Sequence, residues 1–291
     1  MRDGMMLMIS GLSGAGKSTA LHALEDLDFF CTDNLPLELL ADWEAQMRAR
    51  KKPAAVCIDT RSSADPKELQ EVLQSVFSSR TDWRLLFIDA SDDVLQRRFS
   101  VQRRRHPFAR GNELLHAIRA EREVLAPLRE MADLVLDSSS LNPYELADLV
   151  ESFRDLQIDR PQQMTCSLIS FSYRRGLPQD ADMVMDVRFL PNPHYQPELA
   201  LLTGKDAPVQ AFLQQHPEVE EAEDILRRWL AFAWPQLGRE RKRYFTLAVG
   251  CSGGRHRSVY IVERLAEWLR RQDMANPVIH HRELGRAEGN A

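Results

Sequence analysis

Residues 5–18 read MMLMIS-GLSGAGKS: an apolar run, Met5–Ser10, that passes into Gly11-Leu12-Ser13-Gly14-Ala15-Gly16-Lys17-Ser18. The second half is a complete G-x-x-x-x-G-K-S pattern in the setting it needs, a strand before it and helical periodicity over Ser18–Leu27 after it. Glycines at this spacing let successive backbone N–H groups turn inward as an anion nest at a helix N-terminus. Lys17 is then placed to neutralise the outer phosphates of a nucleotide, and the Ser18 hydroxyl to hold Mg²⁺.

Working outward, Ala54–Asp59 and Arg84–Asp89 are apolar strands that each end in an acid. Asn112–Met131 reads as a long amphipathic helix, Asp133–Asp137 as a further short run, and Leu141–Leu156 as a helix capped by Asn142 with Pro143 in its first turn. Strands alternating with helices over residues 1–157 predict an α/β domain, a P-loop NTPase-type parallel sheet with flanking helices. Asp59 is the candidate acid beside the phosphate site and Asp89 its rival, and either could cap the following segment. Asp33 and Asn34, in CTDNLP, are substrate-handling groups or Asx-turn residues before Pro36. Arg97, Arg98, Arg103, Arg104 and Arg105 form a lid over triphosphate charge or an exposed helix face.

Residues 158–164 have the composition of a linker. The pattern restarts over 165–291 as a second, smaller α/β domain. Cys166–Phe171 and Met183–Val187 read as strands, Pro208–Trp234 as mostly helical, and Tyr244–Val249 as a strand. That strand enters the loop Cys251-Ser252-Gly253-Gly254-Arg255-His256-Arg257-Ser258, and Val259, Val262, Leu265, Trp268 and Leu269 mark one face of the helix that follows. The loop matches C-x₅-R-S, the pattern of cysteine-dependent phosphatases. Strand-loop-helix geometry suits anion binding whatever the cysteine does. Catalysis by Cys251 would also need a general acid, with Asp182 and Asp186 as candidates, and Gly250 stands where tyrosine phosphatases carry His. Arg188 and His194 are further polar candidates of this domain.

The chain has 291 residues, 44% hydrophobic and 28% charged, the balance of a globular protein rather than a disordered one. No apolar run reaches the roughly 20 residues of a membrane span. The four cysteines, Cys31, Cys57, Cys166 and Cys251, form no C-x-x-C pair, which predicts neither a zinc knuckle nor a disulfide framework. A cytoplasmic protein with no membrane partner is expected. Net charge is −5, yet residues 239–288 hold eleven Lys/Arg against six Asp/Glu, a possible anion or nucleic-acid surface.

With GLSGAGKS, CTDNLP, IDTRS, RRFSVQRRRHP, ERE-x-L-x-PLRE-x-AD, ADMVMDVRFLPNPHY and GCSGGRHRSV in one chain, the sequence resembles, nearly end to end, the RapZ/YvcJ family of bacterial nucleotide-binding proteins. Enterobacterial members of that family are RNase adapters. The resemblance implies ATP at Gly11–Ser18 and GTP at Asp59, Thr60, Arg61 and Ser62. It also implies a C-terminal domain that senses a hexosamine phosphate, glucosamine-6-phosphate, through the Cys251–Arg257 loop with Arg188 and His194. That domain would bind a small RNA and present it to an endoribonuclease or other regulatory protein, in control of cell-envelope precursor synthesis. Homo-oligomers are implied as well. The adapters end in a Lys/Arg-rich tail, whereas this chain ends HHRELGRAEGNA with no lysine. Its RNA-binding candidates are Arg270, Arg271, His280, His281, Arg282 and Arg286. Fewer cations mean weaker phosphate contacts. A P-loop small-molecule kinase and a Cys251 phosphatase are the competing readings.

Overall fold

Strand β1 (Met6–Gly11) is buried at all six positions, as the central strand of a covered parallel sheet must be. The computed structural model describes residues 5–60, 62, 83–102, 106–108, 114–159, 164–240 and 242–284. They fall into two compact units, Met1–Gln162 and Gln163–Ala291.

In the first unit β1 is followed by α1 (Lys17–Glu25), β2 (Phe30–Thr32), α2 (Leu40–Arg50), β3 (Ala54–Cys57), β4 (Trp83–Asp89), α3 (Asp92–Gln102), α4 (Leu114–Met131), β5 (Leu134–Asp137) and α5 (Pro143–Asp159). The strands form one sheet in the order β2-β3-β1-β4-β5, parallel throughout. The chain goes to one side of β1 for β2 and β3 and to the other for β4 and β5. The loops leaving β1 and β3 therefore open where the order reverses, the usual ligand crevice of such sheets.

Local chemistry sets the helix ends. Asn142 Oδ1 accepts the N–H groups of Tyr144 and Glu145 at 2.9 and 3.0 Å, while Glu145 Oε2 accepts the Asn142 N–H at 2.8 Å. This reciprocal capping box, with Pro143 as the first helical residue, starts α5 as its sequence foretells. The helix runs on to Asp159, so Ile158 and Asp159 are helical rather than part of a linker, and 160–163 lie outside the described residues.

The second unit contains β6 (Thr165–Ser172), β7 (Met183–Asp186), α6 (Ala207–Gln214), α7 (Pro217–Arg239), β8 (Tyr244–Cys251), α8 (Arg257–Arg271) and β9 (Val278–His281). Its sheet order is β7-β8-β6-β9, again parallel. Leu168, Leu247 and Val249 on one face of this sheet pack with Leu226 and Leu230 of α7 and with Val262, Leu265 and Leu269 of α8. The sequence reading lacks β2, α2 and β9, and it reaches α3 only as one reading of its arginines.

Candidate functional site

The loop between β1 and α1 turns on glycines with positive φ: Gly11 at 139°, Gly14 at 82° and Gly16 at 116°. At Gly11 a Cβ would stand 2.0 Å from the carbonyl oxygen of Ile88 on the adjacent strand. Only glycine permits that backbone and that approach together.

Lys17, the first residue of α1, folds its side chain back over the loop. Its ammonium donates to Gly11 O at 2.8 Å and Leu12 O at 3.2 Å, and stands 3.3 Å from Asp59 Oδ2. Asp59 begins a turn in which Ser62 N–H donates to Asp59 O at 2.9 Å and Asp59 N–H donates to Ser62 Oγ at 3.3 Å. Of the two acids weighed from sequence, Asp59 is the one at the phosphate loop. Asp89 is instead held by Arg122 and Arg129, at 2.7 and 3.2 Å. Asn34 has a left-handed φ of 53°, the backbone of its turn reading. Arg61 lies outside the described residues. Ser18 is exposed on the first turn of α1.

Arg98 on α3 is neither a free lid arm nor part of an exposed face. Its guanidinium donates to Gly14 O at 3.0 Å, Ala15 O at 3.2 Å and Ser138 O at 2.7 Å, and so braces the outside of the loop. Arg97 is exposed, and Arg103, Arg104 and Arg105 lie outside the described residues.

Glu121, on α4, is the group that sequence reading passes over. It is fully buried, and its Oε1 accepts the hydroxyls of Ser13 at 2.7 Å and Thr60 at 3.0 Å. Its Oε2 accepts the Ser13 N–H at 2.9 Å and lies 3.1 Å from His106 Nε2. Burial raises the Glu121 carboxyl, but hydrogen bonds from His106 and Ser13 and the charge of Lys17 outweigh it and hold the group below the usual carboxylate range. One sequence signal pointed there. Glu121 falls on the stripe Ala117, Ile118, Leu125, Leu128 that α4 buries, and a carboxylate on a buried stripe needs partners.

The second anion loop leaves the C-terminal end of β8. Cys251 is buried; its Sγ accepts the Gly254 N–H at 3.2 Å and lies 3.2 Å from Ser258 Oγ. Arg257 is also buried, and its guanidinium donates to the carbonyls of Arg188 at 2.7 Å and Leu190 at 3.0 Å and to Ser252 Oγ at 3.2 Å. It thereby fastens the 188–190 segment to the loop. His256 Nε2 donates to the Leu199 carbonyl at 3.1 Å, so Nε2 is the protonated nitrogen. Burial lowers the pKa of this ring. His194 is exposed, with its ring centroid 6.2 Å from that of His256. Arg188 is exposed, stacks 4.1 Å over the Tyr173 ring and grips Asp186 at 2.7 Å. Gly253 is exposed, and Ser252 and Arg255 are half-buried.

Both candidate acids of the phosphatase reading are already engaged by basic side chains. The hydrogen bonds of Arg188 hold Asp186 below its ordinary value. Asp182 takes the Lys242 ammonium at 2.5 Å and the Thr246 N–H at 2.9 Å.

Two family models cover this architecture: the RapZ-like N-terminal domain matches residues 5–157 and the RapZ C-terminal domain residues 164–285. The chain belongs to the RapZ-like family. It is 42% identical over 287 residues to a protein named nucleotide-binding protein from Xanthomonas campestris, covering 95% of this chain and 99% of that one. To another so named, from Acidovorax, it is 45% identical over 290 residues, 96% and 98% of the two chains. It is 43% identical over 267 residues to an Escherichia coli protein named RNase adapter protein RapZ, 91% and 93% of the two chains. A looser likeness, with TM-score 0.39 and 16% identity over 53% of this chain and 98% of the other, is to a shikimate kinase from Bacteroides thetaiotaomicron.

The basic end of this RapZ-like chain divides in two. Arg270 and Arg271 are exposed at the end of α8, the first bonded to Asn276 at 2.9 Å and the second paired with Glu267. Arg282 donates to Gly176 O at 3.0 Å. The His281 ring is buried in β9, with Nδ1 2.8 Å from Ser170 Oγ and Nε2 3.0 Å from Glu263 Oε1. His280, its neighbour on β9, is half-buried and Arg286 lies outside the described residues. Among the described residues no helix is long and apolar enough to cross a membrane.

Proposed function

We propose that this chain is a cytoplasmic, homo-oligomeric regulator that binds nucleotide in its first unit and a hexosamine phosphate and small RNA in its second. The carrying observation is the turn from β1 into α1, with three positive-φ glycines and a buried lysine facing Asp59. ATP would lie on Gly11–Ser18, its β- and γ-phosphates at Lys17. The oxygen donors present suit a hard cation: the exposed Ser18 hydroxyl would hold Mg²⁺, which would screen the phosphate charge. GTP is assigned to Asp59, Thr60, Arg61 and Ser62.

A hexosamine phosphate would enter at Ser252–Arg255, where backbone N–H groups precede the N-terminus of α8, with Arg188 and His194 at the rim. Arg257 would shape this pocket by holding its wall. RNA would follow Arg270, Arg271, His280, Arg282 and Arg286, and the complex would engage an endoribonuclease, as the name of the Escherichia coli relative suggests. Calorimetric titration of the intact chain with ATP, GTP and glucosamine-6-phosphate tests the small-molecule sites. Gel shifts of structured RNA at two salt concentrations test the last. Binding should weaken steeply with salt as counterions are released, and changing Arg270, Arg271 and Arg282 together to Ala should weaken it for all RNAs alike. Absence of RNA binding at low salt removes the adapter role.

A further inference from the structure

Ser13 N–H is one of the phosphate-loop amides, yet it is bonded to a protein carboxylate, Glu121 Oε2, at 2.9 Å. Its position within the loop matters. The Lys17 ammonium, the group that reaches the β- and γ-phosphates of a bound nucleotide, rests on the carbonyls of Gly11 and Leu12, next to Ser13 in the chain. Ser13 therefore sits at the outer-phosphate end, and Glu121 occupies there an amide that a terminal phosphate would use. Both Glu121 oxygens are fully engaged, by Ser13, Thr60 and His106, so the carboxylate is not disposed as a general base. It is an internal anion held where an external one would come.

We propose that Glu121 sets the discrimination between nucleoside di- and triphosphates at this loop. The inference rests on the reading of Gly11–Ser18 as the nucleotide site. A diphosphate ends before the amide that Glu121 holds. A triphosphate brings further negative charge against a buried carboxylate, and like charges at short range in a site screened from water repel strongly. Binding of the triphosphate must displace Glu121 from Ser13, and the same movement frees Thr60, in the turn that Asp59 begins, and His106, which follows the arginine-rich segment. Occupancy by the triphosphate, not the diphosphate, is thereby transmitted to Thr60 and His106.

The test is calorimetry of the intact chain with Mg-ATP and Mg-ADP, for wild type, Glu121→Gln and His106→Phe. Glu121→Gln keeps the shape and removes the charge, and it should raise the ATP-over-ADP preference about tenfold, mainly through tighter ATP. His106→Phe removes one partner of the carboxylate while keeping a ring beside Phe99 and Phe108. It should move the ratio in the same direction by a smaller factor, and it carries the test if Glu121→Gln does not fold. A structural role alone would weaken both nucleotides equally, so an unchanged ratio in the folded variants overturns the proposal. If wild type binds both nucleotides and the ratio does not move, this inference alone fails. If wild type binds neither, the nucleotide-site reading fails and takes this inference with it.

Discussion

Lys17 Nζ stands 3.3 Å from Asp59 Oδ2, with 7% and 1% of the two side chains exposed. The Lys17 ammonium is therefore compensated by this carboxylate and by the carbonyls of Gly11 and Leu12. A buried pair of this kind is costly to break from one side, because the remaining charge stays desolvated.

Lys17→Ala should accordingly abolish nucleotide binding and also destabilise the first unit, by about 3 kcal/mol. Adding Asp59→Asn should restore much of that stability while leaving binding absent. Urea unfolding of the single and double variants, with ATP calorimetry on each, separates the two effects; full binding by folded Lys17→Ala would refute the phosphate-loop assignment.

Gly250→Ala should destabilise the second unit by about 1–3 kcal/mol. A Cβ there would meet Phe171 Cζ at 2.4 Å and Tyr173 Cε2 at 2.5 Å. Phe171 is fully buried and cannot yield easily, while Tyr173 carries the stacked Arg188. Thermal melting checks the stability loss, and a neutral substitution would show that the rings are free to move.

Arg257→Ala should eliminate glucosamine-6-phosphate binding, and Arg257→Lys should not rescue it, because one ammonium cannot reproduce donors to Arg188 O, Leu190 O and Ser252 Oγ. Cys251→Ser should bind nearly as wild type. Titration of the three variants decides this, and loss of a measurable phosphatase activity in Cys251→Ser would favour covalent catalysis instead.

Glu263 on α8 accepts from His281 and from Lys205, both at 3.0 Å. The His281 hydrogen bond, opposed by burial and aided by Lys205, brings its pKa down to about 2. A folded value below the unfolded one contributes stability above about pH 4.5 that is lost as pH falls towards 2. Wild type should exceed Glu263→Gln by on the order of 2 kcal/mol at pH 6, allowing for partial exposure, and the difference should vanish near pH 2. Urea melts of both proteins across that range check the sign; a gap that widens on acidification would contradict it.

Residues 5–18 determined by themselves the strand, the loop and the helix, since a buried apolar run and glycines at required positive φ are properties of the local chain. Long strands at the middle of each sheet, β1, β4, β6 and β8, were legible for the same reason, being buried along their whole length or nearly so. Of the four edge strands, β5 and β7 were also picked out in the sequence, and β2 and β9 were not. Each is only three or four residues, mostly half-exposed, and an edge strand owes its form to its neighbour's hydrogen bonds rather than to an apolar pattern.

Site chemistry divided along the same line. The types and spacing of Lys17, Ser18 and Cys251–Arg257 stood in the sequence, but the employment of their neighbours did not. Glu121 lies 108 residues from Ser13, Arg98 lies 84 from Gly14, and Arg257 lies 69 from Arg188. A charged side chain reads the same in sequence whether it meets solvent or a buried donor. Only the packing of α4 and α3 against the phosphate loop, and of α8 against the segment after β7, gave each of these charges its partner, because burial made an unpaired one too costly to keep.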